Sequence, residues 1–365
     1  MKYLSISFSF ILMVLLLHSC KKPHYSFSVK EIEIDNISDI KLTEEKSGVI
    51  IDGDVWQLVF VDSFLVVQTE EPDGYLSVYN SENFEKVASI CKKGRAKNEF
   101  SEPVYLLSQT YKRNGDSFIL VVDKDIYVKE INITQTVRQG HTVVTNVVES
   151  PTYSNNHRFL YLINNLSNYI FYKSGISNVN EYQYDEYHLI DTDKETDKEL
   201  KLFPKKMDRD DESIPFYTFG MFYKHPEKNL FVQPMQFMDY VLFLDFERDS
   251  TYSSHVLNTP TFDDWCPDGR TMTFSDAAVS KDFIFVIHAT TDREEDKINW
   301  NTLCVFNWDG DLLTVIKLDG GLDGGVIDLT YDENNMRLYA VRYSNESIEE
   351  EIVSFDMSEI IKSLH

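Results

Sequence analysis

From Asp54 to Pro103 the chain alternates short apolar runs with polar turns: VWQLVFV, FLVVQTE, YLSVYN and KVASI are separated by Asp-Ser, Pro-Asp-Gly and Asn-Ser-Glu-Asn. Runs of this length, rich in β-branched and aromatic residues and bounded by turn formers, predict one four-stranded antiparallel sheet. So small a sheet cannot bury its own faces and requires similar units beside it. Weaker copies follow at a spacing of roughly 45 to 55 residues, which predicts a radial array of sheets, a β-propeller.

The second unit spans Val104 to Val137, with VYLLSQTY, SFILVVD and IYVKEINI as strands and Asn114-Gly115-Asp116 as a hairpin turn. The third, Val143 to Lys206, contains TNVVES, FLYLINN, IFYKSGI and YHLIDTD, with longer turns and poorer alternation. Pro215 to Asn258 forms the fourth unit (FYTFGMFY, NLFVQPM, YVLFLDF, YSSHVL) and Thr271 to Leu318 the fifth (MTFSDAAV, DFIFVIHAT, TLCVFNW, LLTVIKL). The sixth begins at Val326 and shows three strands, VIDLTYD, RLYAVRYS and EEIVSFDMS. Between Tyr25 and Ile51, the stretch FSVKEIEIDN places apolar residues at Phe27, Val29, Ile32 and Ile34. A strand there is expected to pair with the last unit, supply its fourth strand and close the ring. The expectation is an all-β fold, a six-bladed β-propeller with four-stranded antiparallel blades, forming a single domain over residues 27–365.

The opening MKYLSISFSFILMVLLLHSC has a positive Lys2 and an apolar run that stops just before Cys20. It reads as a secretory signal over residues 1–19, too short for a stable span, followed by a tether over 20–26. Leu17-His18-Ser19-Cys20 resembles the bacterial lipoprotein cleavage box, which would make Cys20 the lipidated first residue; the alternative is an ordinary signal cleaved nearby. The lipid would then supply the membrane attachment, because no later run approaches the roughly 18 apolar residues a spanning helix needs. Lys21-Lys22-Pro23-His24 is basic, whereas surface-exported lipoproteins of Bacteroidetes-type bacteria tend to be acidic there. That resemblance favours an outer-membrane lipoprotein facing the periplasm, with surface display as the alternative.

Sixty acidic residues against 35 Lys and Arg give a net charge of −25, and loss of the signal removes one Lys more. So acidic a surface repels phosphate backbones and argues against nucleic acid as a partner. It serves solubility, or attracts divalent cations or a basic partner. After Cys20, an odd set of thiols remains: Cys91, Cys266 and Cys304 lack metal-ligand spacing; burial as small apolar residues is the simplest use, and a Cys266–Cys304 bridge between strands of one unit is the alternative.

The segment CKKGRAKNEFSEP, from Cys91 to Pro103, resembles a motif of the six-bladed, TolB-like propeller lipoproteins of Bacteroidetes-type bacteria. They carry Gly-x-Gly-Pro-x-Glu-Phe at the end of an early blade, shortly before a Pro. Gly94, Glu99, Phe100 and Pro103 match; Ala96 and Lys97 replace the second Gly and the Pro. The resemblance implies a fold and an envelope address rather than a reaction. Physically, the segment suits a crossover to the next blade, with Gly94 in a positive-φ turn, Phe100 between sheets and Glu99 accepting loop amides. A ligand-contact role for Arg95, Asn98 and Glu99 is the alternative.

No Gly-x-Ser-x-Gly elbow, His-Glu-x-x-His helix or phosphate-binding Gly-x-x-x-x-Gly-Lys loop occurs, and the nine His are dispersed. No catalytic residue or resident cofactor is therefore assigned. Carboxylate clusters at Asp319 with Asp323, Asp208–Glu212 and Asp292–Asp296 offer oxygen ligands of the kind calcium takes, but without EF-hand spacing. Asp319 and Asp323 precede the last blade's inner strand and join Arg95 as the candidate binding site. Three functions follow: a membrane-tethered, non-catalytic binding or scaffold module for a protein or glycan, a propeller hydrolase or lyase with a divalent metal in the central channel, or a purely structural envelope protein.

Overall fold

Where apolar runs alternate with turn formers, the backbone of the computed structural model forms four-stranded antiparallel meanders. The structure describes residues 28–52, 55–72, 74–96, 98–101, 104–123, 127–149, 157–164, 168–174, 185–191, 194, 196–200, 220–261, 273–292, 297–319, 324–344 and 349–364. Three strands open this portion: β1 (Ser28–Ile32), β2 (Ile37–Thr43) and β3 (Glu45–Asp52). The first meander is β4 (Val55–Val61), β5 (Phe64–Glu71), β6 (Gly74–Asn80) and β7 (Lys86–Ile90). Next come β8 (Val104–Arg113), β9 (Asp116–Asp123), β10 (Tyr127–Asn132) and β11 (Val144–Glu149). The Asn114-Gly115 turn between β8 and β9 has φ values of 55° and 84°, the left-handed pair that a tight hairpin requires.

The third meander is β12 (His157–Asn164), β13 (Asn168–Ser174), β14 (Asp185–Asp191) and β15 (Thr196–Leu200). The fourth is β16 (Tyr223–Lys224), β17 (Leu230–Pro234), β18 (Tyr240–Asp245) and β19 (Ser250–Val256). Two further groups share one nine-stranded sheet: β20 (Phe274–Val279), β21 (Phe283–Asp292), β22 (Lys297–Asn307) and β23 (Leu312–Asp319) with β2 on its edge, then β24 (Gly324–Asp332), β25 (Arg337–Ser344), β26 (Glu349–Asp356) and β3. A single parallel pairing, Trp300 with Gly325, joins them.

The expected boundary between the second and third units moves. Val144–Glu149 (VTNVVE) is the fourth strand of the second sheet, reached through helix α1 (Ile133–Gln139). Asn132 caps that helix by accepting the Gln135 amide at 2.8 Å, and Gly140 ends it at φ 70°. A second helix, α2 (Ser358–Leu364), buries Ile360 and Ile361 against the last sheets.

Six blades were expected around the channel; among the described residues five surround it. The innermost strands touch in the order β24, β4, β8, β16, β20 and back to β24. The wall passes directly from the second sheet to the fourth: the Ser108 hydroxyl donates to the Phe222 carbonyl at 3.4 Å, which leaves no room there for a sheet between them. The third meander, whose alternation is the poorest of the set, pairs within its own four strands.

Apolar faces meet between adjacent sheets. Val66, Val78, Phe100, Leu106 and Ile119 fill the first interface, and Leu65 packs with Tyr339 and Ile352 where the last sheet meets the first. Phe243 with Phe274 and Phe306, and Phe285 with Leu329 and Phe355, fill two others. The N-terminal strands lie along outer edges: β1 pairs in parallel with β19, β2 in parallel with β23, and β3 antiparallel with β26. The stretch SVKEI therefore pairs with the fourth sheet, not with the last. The partner of the last sheet is Glu45–Asp52, in which Ile51 is buried against Val55, Val341 and Ile352.

Candidate functional site

The innermost strands carry bulges, which interrupt the strict in-and-out alternation and turn polar side chains toward the axis. Register breaks fall between Val55 and Gln57, Leu106 and Thr110, Phe274 and Ala277, and Ile327 and Leu329. Between these strands lies a cavity of about 660 Å³, lined by parts of β4, β8, β16, β20 and β24 and by the turn from His225 to Asn229. Its volume is that of an ordinary small-ligand site.

On the β8 side, the fully buried carboxylate of Glu130 accepts from Arg113 at 2.6 and 3.2 Å, and from the hydroxyls of Tyr111 and Thr145. Burial alone would raise the Glu130 pKa, but these bonds, Arg113 first, outweigh it and hold the group below the usual carboxylate range. Burial and the Glu130 carboxylate push the Tyr111 phenol upward. Tyr111 stacks on Phe118 with ring centres 5.4 Å apart, and the Arg113 guanidinium lies 4.5 Å over the same ring. Its ion pair, stacking and ring contact fix this corner before any ligand arrives.

Across the cavity, Lys224 donates to the carbonyls of His225 at 3.1 Å and Lys228 at 3.0 Å. Burial lowers its pKa, with Glu247 opposing. The His225 ring accepts the amides of Glu227 and Lys228 at 2.9 and 3.0 Å and packs 4.8 Å from Trp308; burial, with Lys228 reinforcing it, lowers its pKa.

Farther along the same inner strands, Asp276 accepts from the Tyr223 hydroxyl and from the Leu329 amide, tying β16, β20 and β24 together. Burial pushes its pKa up to about 7, against the Leu329 and Ala277 amides. Asp328, in the left-handed region at φ 48°, is raised by burial and by the carboxylates of Asp276 and Glu350. Neighbouring carboxyls with little solvent cannot all ionise at neutral pH.

The residues singled out from the sequence lie elsewhere. Arg95 and Asn98 are exposed, and Glu99 half-buried, on the loop before β8, whereas the cavity involves β8 from Ser108 onward. In that loop the Gly94 amide donates to the Phe100 carbonyl and the Phe100 amide to the Lys92 carbonyl, both at 2.9 Å. The Glu99 carboxylate accepts the Ala96 amide at 2.8 Å. Phe100 is buried between the first two sheets, with the Lys129 ammonium 4.1 Å over its ring; Lys129 pairs with Asp123 at 2.6 Å, both nearly buried. The positive φ expected at Gly94 belongs instead to Cys91, at 60°. Asp319 ends β23, on the loop before β24. Asp323, Pro103, Cys20, Cys266 and the Asp208–Glu212 cluster lie outside the described residues. Cys91 and Cys304 are buried free thiols.

Among the described residues no group of three or more His, Cys, Asp or Glu is placed to hold a metal ion. None of their helices is long and apolar enough to cross a membrane. The residues that line the cavity escaped the sequence reading because bulges hide them. Their one visible signal is polarity late in an otherwise apolar inner strand, as in SQTYKR of β8.

No family model matches the chain, and no curated protein matches it. Among solved structures, a member of the DUF4221 family from Bacteroides vulgatus aligns with a TM-score of 0.54 at 11% identity, over 86% of this chain and 97% of that one. A Bacteroides fragilis protein whose name suggests export aligns at 0.48 and 12%, over 90% and 98%. The β-propeller domain of Cps50 from Myceliophteria thermophila aligns at 0.40 and 11%, over 82% and 99%. At such identities the likeness is one of fold.

Proposed function

We propose that this chain is a non-catalytic binding propeller of the cell envelope, tethered to the periplasmic side of the outer membrane through lipidated Cys20, that receives part of a protein or glycan partner in its channel mouth. The observation that carries the reading is the 660 Å³ cavity at the meeting of five inner strands. Its Arg113–Glu130 corner is already satisfied internally, as suits a preorganised recognition surface. The Glu45–Asp52 strand completing the last sheet is read as the closure of the ring, which holds the cavity's shape. A second candidate is the set read from the sequence, Arg95, Asn98, Glu99, Asp319 and Asp323.

The test is affinity co-purification of the full-length lipidated protein from its native envelope. Thr110→Phe, which places a ring in the cavity, is compared with Arg95→Ala/Asp323→Ala on the loop face. A stoichiometric partner lost with Thr110→Phe supports the channel mouth. Loss with the loop variant alone moves the site to the other end. Stoichiometric metal with hydrolytic or lyase activity and no partner would replace the reading by a metal-dependent enzyme.

A further inference from the structure

The cavity contains a cation that its own surroundings leave incompletely matched. An ammonium has three N–H donors, and among the described residues Lys224 spends two, both on carbonyls of its own turn. The other cations of this wall are committed to carboxylates, Arg113 to Glu130 and Lys112 to Asp62. Of the carboxylates nearby, Glu227 borders the cavity and is exposed, and Glu247, whose charge acts on Lys224, accepts the Asn229 amide at 3.3 Å. An anion entering beside Lys224 would meet a half-buried positive charge with a donor to spare, where a charge-assisted bond is stronger than in open water.

The rest of the lining narrows what carries that anion. Thr110, Asn146 and Thr330 provide neutral hydroxyl and amide groups, and Tyr111 and Tyr331 provide aromatic rings. Small neutral polar groups beside aromatic rings complement a saturated, hydroxyl-rich ring, whose C–H face packs on an aromatic while its hydroxyls exchange hydrogen bonds. A peptide terminus would match Lys224 but would offer no saturated ring face to the tyrosines.

We infer that the channel mouth binds an acidic saccharide, with a sugar carboxylate on Lys224 and the sugar ring against the tyrosines. The inference rests on the binding reading above and names its ligand class. The full chain is titrated calorimetrically with a tetramer of galacturonic acid, a tetramer of galactose and a hexaglutamate peptide. The uronate tetramer binds; Lys224→Met weakens it roughly tenfold or more, and Lys224→Arg retains most of the affinity. Equal affinity for the galactose tetramer, unchanged uronate affinity in Lys224→Met, or preference for the peptide overturns the assignment. Absence of uronate binding also overturns it. If the envelope partner is nonetheless lost with Thr110→Phe, the binding reading stands while this ligand class falls.

Discussion

Gly94 makes room for the Glu99 carboxylate: a Cβ on Gly94 would overlap Glu99 Oε2. The glycine is required by this close approach and not by a left-handed backbone. Because the obstructing atom ends a flexible side chain, Gly94→Ala should expel the carboxylate from the Ala96 amide instead of breaking the loop. The expected cost is about 1–2 kcal/mol in urea unfolding, the scale of a charge-assisted hydrogen bond. The same change in a Glu99→Ala background should cost much less, and a full cost there would refute the pairing.

Phe100 and the buried Lys129–Asp123 pair form one packed unit behind that loop. Phe100→Ala should cost roughly 3–5 kcal/mol through the cavity it leaves between the first two sheets. Lys129→Met should cost a comparable amount, about 3–5 kcal/mol, because it strands the Asp123 charge. Adding Asp123→Asn to Lys129→Met should recover part of that loss, measured by denaturant midpoint at constant m-value.

The carboxyls in the inner-strand bulges set a pH dependence. Asp276, raised to about 7, holds a proton in the folded state that the unfolded chain releases near pH 4, so its contribution to stability falls as pH rises across that window. Asp328, also raised, acts in the same sense. His225 and His255, lowered by burial, act in the opposite sense near their unfolded value, and the lowered Glu71 and Glu130 matter only in more acid solution. Comparison with Asp276→Asn isolates the acid. The variant should gain stability relative to wild type as pH rises from about 5 to about 8. A pH-independent difference would contradict the raised pKa.

Strands were legible where the alternation is regular. All four strands of the first sheet, and those of the unit beginning near Thr271, fall where the apolar runs and turn formers place them. The helix after Asn132 was not legible, because ITQTVRQ continues an apolar strand without a strong breaker until Gly140. Nor was the path of the N-terminal strands, which depends on tertiary edges: two parallel pairings and one antiparallel one leave no turn signature. The candidate site was the least legible part. Asp276 and Asp328 sit in bulges that erase period-two patterning, and the Arg113–Glu130 pair forms across a sheet. The Glu-Phe motif stood out because its interactions are local, and for that reason it reports the crossover more than the cavity.

Removal of residues 28–52 should expose the outer edge of Glu349–Asp356, which pairs with Glu45–Asp52, and the apolar surface beneath Ile51. An uncovered strand edge recruits other chains. Light scattering after size exclusion should show oligomers for the truncated chain. A well-folded monomer of unchanged stability would contradict the role given to this strand.

The central claim is that a partner enters the channel mouth, and hydrogen exchange measures it most directly. The wild-type protein is followed with and without the partner recovered from its native envelope. The account predicts added protection in Ser108–Arg113 and Tyr223–Asn229, with little change in the loop from Lys92 to Phe100. Protection confined to that loop, or to the outer strands, would contradict it.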